Sequence, residues 1–466
     1  MFGKLSVQAK LFTLVTFAAT YMVLGNWMFD ITWFIGAFIF VAIFFSQVNT
    51  KDIKWSKLSG VAFEKKLFTL AFLFRLMALV IVSLAAEINT GEPFYMGAMD
   101  AKAYYSSSSY ALELWQDEGI KRAYDQIARP GRAPDDYGMF FFLMILHIFT
   151  FKSIYLTKLV FCLISSYTVL VGYKLARLLW DERTARLAGL ILMVFPLSLF
   201  YGVIYLKENL ITFLIINLSY LVTKSFTQHR FNLKILVFIL AQLGLLFFLR
   251  SAAGALMTLL TGGAYFFNYY KGSRIFSIFI GIVILAIFVF FLNFLGLAEI
   301  YYDRITAEAA GFGESRFEFV RGVNKLAQLG SIPIFAAGSI FAPFPTLVDY
   351  QNIPHGPFNY YIPGLMVWNA MALFALFGLI KSLHKSYRQH NVMLWGFALG
   401  YLYVLVDTVL LTSTRFSYSS MPTLLILSAV GIMHTKAIKF WKIYLVIMVV
   451  LVVGWNYFKL AGRGLM

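Results

Sequence analysis

Long apolar segments alternate with short polar loops along almost the whole chain. Nearly all of these segments are about 17 to 22 residues long, which is the length that a helix needs to cross a hydrocarbon core of roughly 30 Å. From this pattern we predict about 13 membrane-spanning helices. They cover residues 11–28, 31–47, 67–87, 155–173, 188–205, 209–223, 233–249, 252–269, 275–296, 361–381, 391–410, 418–434 and 441–457.

The loops between these segments differ in charge. Because cytoplasmic loops carry an excess of Lys and Arg, the basic loops are predicted to be cytoplasmic. Two long loops, 88–137 and 297–360, then lie on the other side and are called the first and second outer loops. The apolar run 139–150 is too short to span comfortably, and the alternation of sides requires that it does not fully cross. The basic loops are 51–66, 174–186, 224–234, 381–388 and 436–442.

Composition agrees with a membrane protein. Of 466 residues, 60% are hydrophobic and only 13% are charged, which is more apolar surface than a soluble core hides. The net charge of +17 is spread over short loops and forms no single basic patch, so nucleic acid is not an expected partner. The one cysteine, Cys162, lies in an apolar run and excludes both a disulfide framework and a Cys-based metal site.

These features predict an all-α fold, a polytopic bundle of transmembrane helices with helical outer loops. We divide the chain into an N-terminal transmembrane hairpin, a core that includes the first outer loop, the second outer loop, and C-terminal transmembrane helices. The four parts cover residues 1–60, 61–300, 301–360 and 361–466.

The first outer loop is rich in carboxylates and predicts a helix along the membrane surface. Asp100 lies at or near the start of that helix, where backbone N–H groups favour an ionised carboxylate. It is therefore either a helix cap or a catalytic acid or base. Asp135 and Asp136, at the end of the same loop, are further candidates.

The second outer loop combines arginines with Pro, Gly and aromatic residues. Arginine binds phosphate with a bidentate fork, so Arg304, Arg316 and Arg321 are candidate phosphate ligands. The alternative is a helix whose charged face is simply solvated. His355, between a proline and a glycine, is either catalytic or an ordinary surface histidine.

Several ionisable residues lie at the ends of predicted spans. Lys207, Glu208, Arg250 and Arg415 all fall on the outer side under this topology. Ionisable groups are costly in a bilayer, so they face a cavity or a partner, unless long side chains snorkel to the interface. Arg75 and Asp407 lie nearer mid-span and belong either to an ion pair between helices or to a polar cavity.

Familiar nucleotide and metal motifs are missing from the sequence. It contains no phosphate-binding glycine loop, and its six histidines lack the spacing of a metal site. The cytoplasmic loops are too short for a nucleotide-sugar domain. A donor carried in the membrane is the natural alternative.

The arrangement of motifs resembles the GT-C superfamily of integral-membrane glycosyltransferases, and within it the branch of polyprenyl- or dolichyl-phosphate-sugar mannosyl- and aminoarabinose transferases. The resemblance covers roughly residues 67 to 434 and implies functional roles for Asp100 and Glu208. Ala101 stands where many members carry a second acid, so Asp135 or Asp136 is the candidate partner of Asp100. The matching segments are GAMDAKAYYSSSSYALELW, DDYGMFFFLMILHIFT, the stretch from LVGYKLARLLW to YLKENLITFLIINLSYLV, FLRSAAG, FAPFP and TRFSYSSMPTLLILSAVG.

The resemblance implies sugar transfer with inversion from a polyprenyl-phosphate-linked donor to a glycan or lipid acceptor, on the extracytoplasmic side of a bacterial inner membrane. Asp100 would act as general base, and cations including Lys207, Arg250, Arg304 and Arg415 would stabilise the leaving phosphate. No metal is then required, although a divalent cation at the acidic outer loop is a second possibility.

Two other functions stay open at this point. An O-antigen-type polysaccharide polymerase or ligase also has many helices and large outer loops, and would use arginines of the second outer loop. A transporter or flippase for lipid-linked sugars would show inverted repeats, and the sequence shows no convincing repeat.

Overall fold

The computed structural model confirms an all-α membrane protein. Within the described residues every regular element is a helix, and the only β-type pairing is an isolated bridge between Met28 and Val348. The described ranges are 2–28, 31–94, 99–128, 136–227, 233–267, 274–294, 340–348, 361–387, 390–407 and 414–461.

Three long helices form the N-terminal part of the bundle. Helix α3 begins where the Ser59 Oγ accepts the backbone N–H of Ala62, and it ends at Gly91, whose φ of 69° favours glycine. The first two helices pack against each other and against helices from the rest of the chain. The bounds are α1 Phe2–Leu24, α2 Ile31–Trp55 and α3 Gly60–Thr90.

The first outer loop folds into a helical layer. Its helices are α4 (Met99–Glu118) and α5 (Ile120–Ile127), followed by α6 (Tyr137–Thr150). The neighbouring tyrosines Tyr104 and Tyr105 of α4 bind opposite ends of α6: one hydroxyl donates to Asp136 at 2.8 Å and the other to the Lys152 carbonyl at 3.0 Å. Helix α6 therefore lies across α4. That 139–150 does not fully cross the membrane stays a prediction.

A broken span leads into the centre of the bundle. The predicted span 188–205 is two short helices, because Pro196 has no backbone N–H and starts a new helix after Phe195. A non-helical stretch then leads to the next long helix. The central helices are α7 Ile154–Leu179, α8 Glu182–Val194, α9 Pro196–Tyr201 and α10 Glu208–Thr227.

Arg75 holds this break from the middle of α3. Its guanidinium donates to the hydroxyl of Ser165 at 2.6 Å, the hydroxyl of Ser198 at 2.9 Å and the carbonyl of Met193 at 3.4 Å. That carbonyl lies in the last turn of α8, where carbonyls lack helical partners. Arg75 is thus fully buried and bound by neutral acceptors, so it lies in a polar environment inside the bundle and not in an ion pair among the described residues. The side chain of Asp407 lies outside the described residues.

The remaining helices complete the bundle. Helices α11 and α12 are separated only by Arg250, whose N–H donates to the Leu246 carbonyl and whose carbonyl accepts from Gly254. The bounds are α11 Leu233–Leu249, α12 Ser251–Phe267, α13 Arg274–Phe294, α14 Tyr361–Leu383, α15 Val392–Asp407, α16 Thr414–Tyr418, α17 Met421–His434 and α18 Trp441–Ala461.

Each predicted span overlaps one of these helices, but fewer helices have the full length of a span. Among the described residues, seven helices are long and apolar enough to cross a membrane. Shorter apolar helices, such as α6 and α17, make up much of the remainder. The chain is therefore a multi-pass membrane protein, and the predicted number of 13 spans is not established. The seven are α1, α2, α3, α7, α10, α14 and α18.

The two ends of the bundle differ in chemistry. At one end the predicted basic loops meet: Glu64 pairs with Lys174 at 3.2 Å and with Arg177 at 3.0 Å, and Arg186 donates to three carbonyls of residues 55–58. We call this the basic end. Helix α7 has 26 residues and extends about 39 Å from it to the opposite end, called the outer end.

Helices α14 and α17 touch through their backbones. A Cβ atom on Gly378 would overlap the carbonyl of Leu427, and one on Gly431 would overlap the carbonyl of Phe374. Small residues allow such close approach between membrane helices. The two glycines thus set the distance between α14 and α17.

Replacing Gly431 by alanine should separate these helices and destabilise the protein by about 1–3 kcal/mol, because the new methyl group meets rigid backbone. The measurement is thermal unfolding in detergent. Gly454→Ala is the matched control, since nothing lies within 4 Å of its Cβ position. A Gly431→Ala variant as stable as Gly454→Ala would contradict the close contact.

Candidate active site

Six charged side chains meet at the outer end of the bundle, and we call them the outer cluster. They come from five separate places in the chain: the first turn of α4, the residue before α6, the start of α10, the junction of α11 and α12, and the short helix α16. The members are Asp100, Asp136, Lys207, Glu208, Arg250 and Arg415.

Glu208 is the buried centre of the outer cluster. Its side chain is 0% exposed, and its Oε1 accepts from Arg415 Nε at 2.6 Å and from Arg250 Nη2 at 3.0 Å. It also lies in the first turn of α10, where the helix dipole favours a negative charge. A buried carboxylate needs such partners, because an unpaired charge inside a protein is very costly.

Arg250 is held in one orientation by neutral groups as well. Its Nη1 donates to the Tyr401 hydroxyl at 3.1 Å, and that hydroxyl donates to the Phe416 carbonyl at 3.2 Å. The guanidinium also lies 4.7 Å from the centre of the Phe416 ring, a cation–π distance. Arg250 therefore acts as a fixed arm that supports both Glu208 and the segment carrying Arg415.

Arg415 is shared between two carboxylates. While its Nε binds Glu208, its Nη1 donates to the Oδ2 of Asp100. Burial lowers the pKa of Arg415, but the carboxylates of Glu208 and Asp100 raise the pKa well above its usual value. The Asp100 side chain is 52% exposed, so it forms the accessible edge of the outer cluster.

A second pair lies beside the first. Lys207 Nζ is 2.5 Å from Asp136 Oδ1, and the Tyr104 hydroxyl donates to the same oxygen at 2.8 Å. Burial raises the pKa of Asp136, but Lys207 and Tyr104 outweigh it and lower the pKa below the ordinary value. Asp100 and Tyr104 are four residues apart on α4 and share one face, so α4 brings both pairs together.

The structure thus brings together six of the residues singled out from the sequence. Asp100 lies in the first turn of α4, as expected for a residue near a helix start. Asp100 contacts one of the predicted cations, Arg415, directly. The other candidates lie outside the described residues: Asp135, Arg304, Arg316, Arg321 and His355.

Sequence analysis missed three aromatic members of the site. Tyr104 lies four residues after Asp100, and this spacing, which places two residues on one face of a helix, was a usable signal. Tyr401 and Phe416 carry no such signal, since aromatic residues are frequent throughout the apolar segments. Their roles depend on how α15 and α16 pack.

No group of three or more His, Cys, Asp or Glu side chains suited to a metal occurs in the part of the chain that the structure describes. Each carboxylate of the outer cluster is instead paired with Lys or Arg. Whether the reaction requires a divalent cation stays a prediction.

Comparisons with known proteins gave distant structural matches only. No family model and no curated protein sequence matches the chain. One similar structure is the archaeal oligosaccharyltransferase AglB from Archaeoglobus fulgidus in complex with an inhibitory peptide and a dolichol-phosphate, with 13% identity, a TM-score of 0.37, and coverage of 84% of this chain and 55% of that one. Another is the Archaeoglobus fulgidus oligosaccharyltransferase tethered to an acceptor peptide, with 12% identity, a TM-score of 0.37, and coverage of 82% and 54%. The chain thus spans about half the length of these proteins.

Glu208→Gln should destabilise the protein by about 3–5 kcal/mol, because it leaves the buried guanidinium of Arg250 without its counter-charge and removes one of the two carboxylates that bind Arg415. Thermal or denaturant unfolding in detergent measures the change. The matched control is Glu64→Gln, which also removes a carboxylate with two cationic partners but at the more exposed basic end. That variant should lose no more than about 1 kcal/mol. Equal losses in the two variants would argue against Glu208 as the buried centre.

The lowered pKa of Asp136 gives a second prediction. A carboxyl with a depressed folded-state pKa stabilises the protein at neutral pH, and this contribution disappears as the pH falls through that pKa. Asp136→Asn should therefore lower the unfolding temperature at pH 7, and its difference from the wild type should shrink below about pH 4. Asp125→Asn, at an exposed position on α5, should show no such trend. A difference that grows on acidification would contradict the assignment.

Proposed function

We propose that the chain is an integral-membrane glycosyltransferase of the GT-C type, which moves a sugar from a polyprenyl-phosphate-linked donor to an acceptor hydroxyl. The observation that carries this proposal is a half-exposed carboxylate, Asp100, paired with the partly exposed Arg415, which also binds the buried Glu208, at one end of a membrane bundle. The two positions implied by the sequence resemblance, Asp100 and Glu208, share the same arginine.

The position of the outer cluster supports a donor delivered by the membrane. The cluster lies at the outer end, and the basic loops that mark the cytoplasmic side lie at the basic end. We therefore place the reaction at the extracytoplasmic face of a bacterial inner membrane. There a lipid anchor stays in the bilayer while its phosphate and sugar reach the polar residues.

The proposed step is a single displacement at the anomeric carbon. Asp100 accepts the proton of the acceptor hydroxyl while the hydroxyl oxygen forms a bond to the anomeric carbon. The bond from the carbon to the phosphate oxygen breaks, and its electron pair stays on the phosphate. Attack from the opposite side inverts the configuration. The leaving phosphate needs no proton, so one base and several cations are sufficient.

The cations differ in what they can do for that phosphate. Arg415 is 25% exposed and borders the accessible Asp100, so we assign it the direct contact with the phosphate. Arg250 is buried behind Glu208 and supports the arrangement from within. Lys207, beside Asp136, supplies further positive charge at the same edge.

Further contributions belong to the proposal as well. Asp135 would extend the acidic edge, and Arg304, Arg316, Arg321 and His355 of the second outer loop would help to bind the donor. The acceptor is a glycan or lipid that carries a free hydroxyl.

Asp100→Asn should reduce sugar transfer by about 10²-fold or more, because the amide keeps the shape of the carboxylate but cannot take the proton. Mass spectrometry of cell-envelope glycans, with and without the variant, measures the effect in cells. Asp117→Asn is the matched control, since Asp117 lies exposed near the far end of the same helix. If Asp100→Asn transfers sugar at the wild-type rate, Asp100 is only a helix cap and not the base.

A further inference from the structure

We infer that Asp100 occupies the place on Arg415 that the donor phosphate takes, so that binding of the donor releases the base. The inference rests on the proposed function and describes how the same site is switched on. The contact between Arg415 and Asp100 is its starting point.

The charges of the outer cluster favour an exchange. Its three carboxylates and three cations cancel formally when they are counted over the described residues. A phosphate that entered without displacing anything would leave uncompensated negative charge at a partly buried site, which is unfavourable. Displacing a carboxylate that water can solvate places the extra negative charge at the exposed edge, so we infer that one carboxylate gives up its cation.

The exposure and the hydrogen bonds of each carboxylate decide which one is displaced from its cation. Glu208 is completely buried and accepts from two guanidinium groups. Asp136 is 29% exposed and binds both Lys207 and Tyr104. Asp100 is 52% exposed, and Arg415 is its only ion-pair partner in the part of the chain described. Releasing Asp100 breaks the fewest contacts and exposes the least charge to an apolar environment.

The geometry of Arg415 suits this exchange. Arginine has five N–H donors in a rigid fork, and Arg415 uses Nε for Glu208 and Nη1 for Asp100. The bond to Glu208 fixes the arm while the other side of the fork changes partner. A phosphate oxygen then takes the position of Asp100 Oδ2 without any movement of the helices.

The exchange orders the reaction. Without a donor, Asp100 Oδ2 is bound to Arg415, which leaves only Oδ1 unengaged by that arginine. Once phosphate binds Arg415, the freed carboxylate lies beside the donor, next to the carbon that is attacked. Donor binding therefore precedes activation of the acceptor.

Binding of farnesyl phosphate to the full-length protein in nanodiscs of zwitterionic lipid tests the exchange. Asp100→Asn should bind it about tenfold more tightly than the wild type, because the competing charge is gone. Asp100→Ser, which suits a helix start, is a second uncharged variant and should do the same. Asp100→Glu keeps the charge and should stay within about threefold of the wild type, as should Asp117→Asn at the exposed far end of α4. Asp136→Asn, which frees Lys207, should gain less affinity than Asp100→Asn. Unfolding temperatures of the variants check that they are folded.

Inorganic phosphate is titrated in parallel, and it should show the same ratio between variants because the exchange concerns the phosphate group alone. Tighter binding of inorganic phosphate only would overturn the inference. So would unchanged or weaker farnesyl phosphate binding by Asp100→Asn, or tighter binding confined to Asp136→Asn, which would place the phosphate on Lys207. If Asp100→Asn loses sugar transfer but does not bind phosphate more tightly, the exchange is wrong and the proposed function stands. If Asp100→Asn transfers sugar at the wild-type rate, Asp100 is not the base and the proposed function is wrong.

Discussion

The buried carboxylate of Glu208 is the interaction on which the outer end of the bundle depends. Three segments far apart in the sequence meet at its Oε1: the start of α10, the junction of α11 and α12 at Arg250, and the short helix α16 with Arg415. Because a charge at this depth is tolerated only with its partners, Glu208 links helix packing to side-chain position. Arg415, and through it Asp100, is held where α10 requires it.

The protein buries charge in two different ways. Arg75 is enclosed mid-bundle by hydroxyl and carbonyl oxygens, an arrangement that fixes the break between α8 and α9. At the outer end, Glu208 and Arg250 are buried next to residues that remain partly exposed, such as Asp100. The first arrangement is closed to any ligand, whereas the second has an accessible edge. Accessibility therefore separates a structural charge from a candidate catalytic one.

The sequence predicts the helices well because bilayer thickness acts directly on segment length and hydropathy. It does not show which helices touch: the contact of Gly378 and Gly431 depends on the facing of α14 and α17, which hydropathy does not encode. The broken span at Pro196 was readable from the proline itself, yet the run was predicted as one helix.

In the candidate site, too, the sequence predicts some features, whereas others depend on how the helices pack. The cost of charge in a bilayer singles out Lys207, Glu208, Arg250 and Arg415 at the ends of spans. The pairing among them, and the supporting hydroxyl of Tyr401, could not be predicted, because they depend on how α10, α15 and α16 pack. Direct contact between Asp100 and Arg415 likewise needed the folded chain.

The cancelling charges of the outer cluster also determine what the site attracts from a distance. Balanced ion pairs produce little electrostatic potential beyond a Debye length of about 8 Å at physiological salt, so the six residues of the outer cluster themselves attract dissolved anions only weakly. A substrate that diffuses laterally in the bilayer needs no such steering, since its anchor already holds it at the right depth. Local recognition without long-range attraction favours a ligand confined to two dimensions over one that is free in solution.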